Sequence, residues 1–224
     1  MKKLAKLIAV MALVPAMLAG CGNSNGASDE TTTAADTDAA AVTEEAGEDN
    51  SLQKVLDSGE FILGLDATFK PMGYTDENDE IVGFDIDCAE EVCARLGVKL
   101  VKQPIDWDTK EQDLDSGKID CIWNGMSINA SRQEVMNLSE PYMKNEMVFV
   151  VTADSTIASQ ADLDGKTVAV QSGSTAQEIL DGAGLNITEN ALATNVECLQ
   201  QLELNLVDAV FMDSVVANYD IKES

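Results

Sequence analysis

The sequence contains no histidine, and only 14 of its 224 residues are Lys or Arg, against 40 Asp and Glu. Without His, an imidazole base is unavailable, and no nucleophile–base pair stands out in its place. The formal net charge of -26 excludes nucleic acid as a partner, because phosphate binding needs a basic footprint. It also argues against an electrostatic grip on anionic lipid. There are two arginines, Arg95 and Arg132. The cysteines Cys88, Cys93, Cys121 and Cys198 show neither a zinc-ligand spacing nor a CxxC redox pair. They read as free, mostly buried thiols that act as small hydrophobes. An apolar fraction of 45% is enough for a buried core.

The chain opens with Lys2, Lys3 and Lys6, followed by an apolar run from Leu7 to Leu18. That pattern is a secretory signal peptide over residues 1–20, too short for an ordinary membrane span. "LAGC", Leu18 to Cys21, resembles a bacterial lipoprotein lipobox, which implies lipidation of Cys21 and a membrane anchor with acyl chains such as palmitate. Residues 21–50 are acidic and carry no aromatic residue, Lys or Arg. Such a stretch cannot bury enough surface to order itself and reads as a tether.

From Ser51 onward, short apolar runs alternate with helical patterns. The runs are Phe61–Leu65, Ile81–Phe84, Lys99–Gln103, Ile119–Trp123, Met147–Val151, Thr167–Gln171 and Ala209–Met212. Helices are expected over Asp85–Leu96, Lys110–Asp115, Ser131–Met136, Ser174–Leu180, Val196–Glu203 and Ser214–Ile221. In the first, Ile86, Ala89, Val92, Cys93 and Leu96 share a face, and Gly97 ends it. This alternation predicts an α/β fold with a mainly parallel sheet. "TDENDE" at Thr75–Glu80 has Ile81 where a calcium loop needs Gly, and reads as a solvated hairpin turn. "GKT" at Gly165–Thr167 precedes a strand and lacks the upstream Gly of a phosphate loop.

Four runs end at small or acidic residues: Asp66, Asn124-Gly125, Ser172-Gly173 and Asp213. Open α/β sheets bind ligands beyond the carboxyl ends of their strands. Two of these ends precede the Met147–Val151 run and two follow it, as in two lobes facing across a cleft. Singly, Asp66 and Asp213 are explained as caps, and Arg132 as a partner of Glu134 or Glu140. Together they suggest more. Arg132 is a fork for a carboxylate. Ser127 and the Gly173–Thr175 turn add donors, Asp213 can hold an ammonium, and Phe69 and Trp107 can sandwich a side chain. A carboxylate fork with an ammonium acceptor matches the invariant half of an α-amino acid.

"DATFKPMGY", "GFDID", "IDWDTKEQDLDSGKIDCIWNGMSINASR", "LSEPYM", "DLDGKTVAVQSGSTAQE" and "VDAVFMDS" resemble the polar amino acid family of ABC-transporter solute-binding proteins. The resemblance spans Ser51 to Ser224. It implies a two-lobed type II periplasmic-binding-protein fold, with lobe 1 over residues 51–145 and lobe 2 over 146–224. It implies that Arg132 takes the α-carboxylate with N–H groups of Ser127 and Thr175. Asp213 takes the α-ammonium with the Gly125 carbonyl and Ser127. Phe69 and Trp107 form aromatic walls, and Asp66 lies near the ligand side chain. Gln171 stands where the family often has Lys, which bears on selectivity. The family's pattern runs on past the point matching Ser224, which implies that the C-terminal part of both lobes is missing.

The expected function is capture of a free L-amino acid, polar in side chain, for delivery to an ABC permease. The expected protein is a monomer with no cofactor, no metal and no catalytic residue. Its place is extracytoplasmic, lipid-anchored at a Gram-positive surface or else in a periplasm. The alternatives are an enzyme of the same fold, such as a cyclohexadienyl-type dehydratase using carboxylates like Asp66 and Asp213, or a surface sensor or adhesin.

Overall fold

The structure is a computed structural model and describes residues 49–223. The signal segment, Cys21 and the acidic stretch up to residue 48 lie outside the described residues. Two α/β bodies follow one another along the chain.

The first body begins with helix α1 (Ser51–Ser58), closed by Gly59 in the left-handed conformation, and strand β1 (Glu60–Leu65). A small antiparallel sheet follows, made of β2 (Thr68–Phe69), β3 (Gly73–Thr75) and β4 (Ile81–Val82). "TDENDE" forms the turn between β3 and β4, closed by the Asp76 N–H bonding the Glu80 carbonyl at 2.8 Å. Then come α2 (Phe84–Leu96), β5 (Lys99–Pro104), α3 (Lys110–Asp115), β6 (Cys121–Ile122) and α4 (Ala130–Val135). β5, β1 and β6 form a parallel sheet in that order. Helix α2 buries Ile86, Ala89 and Cys93, three to four residues apart, and so lays one face on Leu63 and Leu65 of β1. Gly83 must be glycine: its φ is 136°, and a Cβ there would lie 2.4 Å from the Met72 carbonyl oxygen.

The second body contains β7 (Met147–Val150), β8 (Thr167–Gln171), α5 (Thr175–Ala183), β9 (Thr188–Leu192), α6 (Asn195–Glu203), β10 (Ala209–Asp213) and α7 (Ser214–Glu223). Its sheet order is β7-β10-β8-β9, parallel except for β7 against β10. Side chains alternate across the sheet, so β10 sends Val210 and Met212 to one core and Ala209 and Phe211 to the other. The first core takes Cys198 and Leu202 of α6 and Val216 and Ala217 of α7; the second takes Ala176 and Leu180 of α5. Phe211 stacks on its cross-strand partner Phe149, with ring centroids 4.3 Å apart. Thr194 and Glu197 form a capping box that starts α6.

The mainly parallel α/β architecture agrees with the sequence reading, with three local differences. The run Ile81–Phe84 is strand only to Val82, because Phe84 already opens α2. The run Ile119–Trp123 narrows to Cys121–Ile122. Asp120 and Trp123 still donate to the Ile62 and Gly64 carbonyls of β1, but they bond on that side only. Helix α1 and strands β2 and β9 were not expected. The four cysteines among the described residues are free; Cys93 and Cys198 are buried, Cys88 and Cys121 partly so. Burial pushes the thiol of Cys121 up to about 11 and that of Cys198 up to about 12.

Candidate functional site

The carboxyl ends of β1, β6, β8 and β10 converge between the two bodies. One small cavity there is lined by Phe69, Trp107, Gly125, Ser127 and Arg132 of the first body and by Gln171, Thr175 and Asp213 of the second. Its volume is about 20 Å³, room for about one water. Asp66 does not line it but reaches it through Gln171. The structure therefore brings eight of the nine expected residues to one cavity, with the ninth directly behind.

Arg132 sits on α4, whose N-cap Asn129 accepts the Arg132 N–H at 2.9 Å. The residue is only 6% exposed. Its Nη1 donates to the Ser127 carbonyl at 2.8 Å and to Thr175 Oγ1, across the cleft, at 2.9 Å. Its Nη2 approaches the Gly173 carbonyl at 3.5 Å. A guanidinium has five N–H donors, so these contacts leave two. Burial lowers its pKa, opposed by the charges of Glu111, Glu178 and Asp213. Neither Glu134 nor Glu140 is its partner; the cleft supplies its acceptors.

Asp213 ends β10 and is 9% exposed. Burial pushes its carboxyl up to about 6, opposed by a hydrogen bond from Asn145 Nδ2 and by the Arg132 charge. A cation placed beside it would restore the charged form. Asp66 Oδ1 accepts from the Thr68 N–H at 2.9 Å and from its hydroxyl at 2.7 Å. Asp66 Oδ2 accepts from Gln171 Nε2 of the other body at 2.7 Å, and Gln171 Oε1 accepts from Asn195 Nδ2 at 3.0 Å. Phe69 and Trp107 are 5% and 7% exposed, so both rings serve as packed walls.

Asn124, from an expected strand end, and Ser174, from the expected Gly173–Thr175 turn, also line the cavity, and so do Met126 and Met147, which were not expected from the sequence. Ser174 was legible as the N-cap of α5, where its hydroxyl accepts the Gln177 N–H at 3.1 Å. Lys110, one helical turn after Trp107, is 3% exposed. Its Nζ donates to the Trp107 carbonyl at 3.0 Å and, across the cleft, to the Gly173 carbonyl at 2.9 Å. It pairs with Glu111 at 3.1 Å and lies 5.2 Å from the Trp107 ring centroid. Burial lowers the Lys110 pKa, and Glu111 opposes this. Gly173 has φ 65°, and a Cβ there would meet Asp108 Oδ1 at 2.7 Å. The left-handed φ, with Trp107 and Asp108 backbone atoms 3.3 Å from that Cβ, favours glycine where the two bodies meet.

Tyr142, on the segment leading from the first body to the second, holds the cavity wall from behind. Its hydroxyl accepts the Gly125 N–H at 3.2 Å and donates to Asp85 Oδ1 at 3.0 Å. Asp85 is fully buried. Burial pushes its carboxyl up to about 6, countered mainly by the Tyr142 hydroxyl. Burial, with the neighbouring Asp85, raises the Tyr142 pKa as well.

Two α/β bodies closed on a polar cleft at their strand ends make this a two-lobed binding protein of the type II periplasmic kind. The chain belongs to the bacterial extracellular solute-binding proteins, family 3, whose model matches residues 61–213. An ABC uptake transporter substrate-binding protein from Streptococcus pneumoniae, solved with bound histidine, is 36% identical with a TM-score of 0.76, over 78% of this chain and 74% of that one. The L-cystine-binding protein TcyJ of Escherichia coli is 27% identical over 168 residues, covering 74% of this chain and 63% of the relative's length. The match therefore spans less than two thirds of that relative. A cyclohexadienyl dehydratase of Pseudomonas aeruginosa is 27% identical over 76% of this chain and 65% of its own.

Proposed function

We propose that this protein is an extracytoplasmic receptor that captures a free amino acid and hands it to an ABC-type importer. The observation that carries the reading is the pairing of buried Arg132 and buried Asp213 on opposite walls of one cavity. A zwitterion answers both. Its carboxylate takes the free guanidinium donors and the Thr175 hydroxyl, and its ammonium returns Asp213 to the ionised form. The side chain then runs between Phe69 and Trp107 toward Asp66 and Gln171, which favours a polar side chain able to donate to Asp66. The histidine-bound and cystine-binding relatives support the same ligand class.

The cavity is too small for an amino acid as it stands, so the ligand enters only when the lobes part. We place the lobe boundary at residues 145 and 146, after the Tyr142 anchor. Further parts of the proposal are signal cleavage before Cys21, lipidation of Cys21 and an anchored monomer. Catalysis is not part of the proposed function. Asp66 is engaged by Thr68 and Gln171, and Asp213 by Asn145, so the two carboxylates do not work as a pair.

A thermal-shift panel of the free amino acids tests this, because a ligand that binds only the folded state raises its Tm. At least one polar amino acid should raise Tm in the parent and not in Arg132→Ala. A panel with no shift, or consumption of a prephenate-like compound, would overturn the reading.

A further inference from the structure

A group of hydrogen bonds joins the two lobes at the rim of the cleft, outside the cavity. Glu178 lies on α5 of the second lobe, and neither it nor its partners Asn129 and Ser131 line the cavity. Asn129 Nδ2 donates to Glu178 Oε2 at 2.6 Å. Ser131 Oγ lies 3.1 Å from Glu178 Oε1 and 3.3 Å from Oε2. The same hydroxyl lies 3.0 Å from Asn129 Oδ1, so its single proton serves one acceptor at a time. Asn129 meanwhile caps α4 through Oδ1, which accepts the Arg132 N–H at 2.9 Å.

We propose that Glu178 is a closure latch and a positioning residue that sets how tightly the cleft holds its ligand. The bonds to Asn129 and Ser131 bring together residues 47 to 49 apart in sequence, on different lobes. They exist only when the lobes are shut. The charged acceptor makes them stronger than neutral bonds. Their partner Asn129 also orients the first turn of α4, so the latch and the Arg132 fork are mechanically joined. Glu178 also helps hold Arg132 in its charged form. A contact made only when the lobes are shut raises the closed population, and once the lobes shut again around a ligand, apparent affinity follows that population. The effect of Glu178 on affinity rests on the amino-acid reading; its effect on closure does not.

The test uses the full chain in three variants: Glu178→Ala, Asn129→Asp, and Asn129→Asp with Glu178→Gln. Asn129→Asp keeps a good N-cap for α4 but sets two carboxylates against each other. The double variant restores a donor opposite the new acid. The radius of gyration from X-ray scattering, with no amino acid added, should rise in both single variants and return toward the parent value in the double variant. Affinity for L-arginine and L-histidine, read by calorimetry, should weaken by ~3–10-fold in the single variants, as expected for one or two hydrogen bonds, and recover in the double. Unchanged scattering in Asn129→Asp, or no recovery in the double variant, overturns the latch. If the scattering pattern holds while no variant and no parent binds any amino acid, the latch stands and the proposed ligand class falls.

Discussion

The two lobes are built to the same plan but held together unequally. The second lobe covers both faces of its four-stranded sheet with helices, and every residue of β10 is buried. The first lobe has three parallel strands, a core cluster of four buried residues from β1 and α2, and an edge strand, β6, only two residues long. Beside β6 runs an apolar groove of about 320 Å³, lined by Leu114, Cys121, Trp123, Met126, Leu138 and Tyr142 among others. Phe69 and Met72 of the first lobe pack into the core of the second. The first lobe thus takes part of its order from the second. The thinner core predicts that the first lobe opens before the second.

The largest expected effect tests that contrast directly. Phe211→Ala removes a fully buried ring from the second lobe and should cost ~3–5 kcal/mol of stability in urea unfolding. Leu63→Ala, in the thinner core, should cost less, ~2–3 kcal/mol, because the lobe can settle around the gap. A larger loss for Leu63→Ala would reverse the ranking of the lobes.

Each lobe also contributes one half of the proposed zwitterion site, and Arg132→Ala isolates the half on the first. It should weaken amino-acid binding by ~2–5 kcal/mol, because Asp213 keeps its ammonium while the carboxylate loses its fork. Arg132→Lys should rescue little, since an ammonium cannot fork. Parent-like binding by Arg132→Ala would remove the Arg132 fork from the site.

Acidity sharpens the comparison further, because each lobe buries one carboxyl with a raised pKa, Asp85 in the first and Asp213 in the second, both about 6. Their ordinary value is 3.8, so the folded chain holds these protons more tightly than the unfolded one. The stability they contribute is therefore fully present below pH 3.8 and is lost as pH rises through about 6. Ligand binding runs the other way. Affinity should fall by at most about tenfold per pH unit below pH 6 as Asp213 takes up a proton, and level off above it. Asp213→Asn should flatten that titration, whereas a curve unchanged in Asp213→Asn would assign it elsewhere.

The smallest effect concerns the deep contact between lobes. Lys110→Met keeps the apolar stem against Trp107 but loses the bond to the Gly173 carbonyl. Affinity should drop by ~2–5-fold, as for one hydrogen bond. No change by calorimetry would remove the Lys110–Gly173 bond from the contacts that hold the lobes shut.

Much of this architecture was legible in the sequence where signals are local. Helix α2 was found within one residue, because its apolar spacing and Gly97 both lie within it. Strand β8 was found at its observed ends, since Thr167–Gln171 is a short apolar run stopped by Ser172-Gly173. Strand β9 was missed because Thr188–Leu192 is polar and lies at the sheet edge. Of the cavity lining, Arg132, Asp213 and the two aromatic residues could be anticipated, since scarce or strongly functional side chains stand out at strand ends. Lys110 and Glu178, which join the lobes without lining the cavity, could not. Their importance comes from where the opposite lobe arrives, and no local pattern records the meeting of residues 63 or 49 positions apart.

The four thiols carry a consequence of a different kind. Alkylating reagents and oxidants attack the thiolate, and a thiol held at about 12, as Cys198 is, is ionised to only ~10⁻⁵ at neutral pH. Cys93 and Cys198 are also sealed from reagent, at 2% and 0% exposure. Each lobe therefore carries its own chemical clock, Cys93 in the first and Cys198 in the second, which starts only when that lobe comes apart. An iodoacetamide pulse followed by mass spectrometry would time the two openings separately, with the native sequence as its own probe.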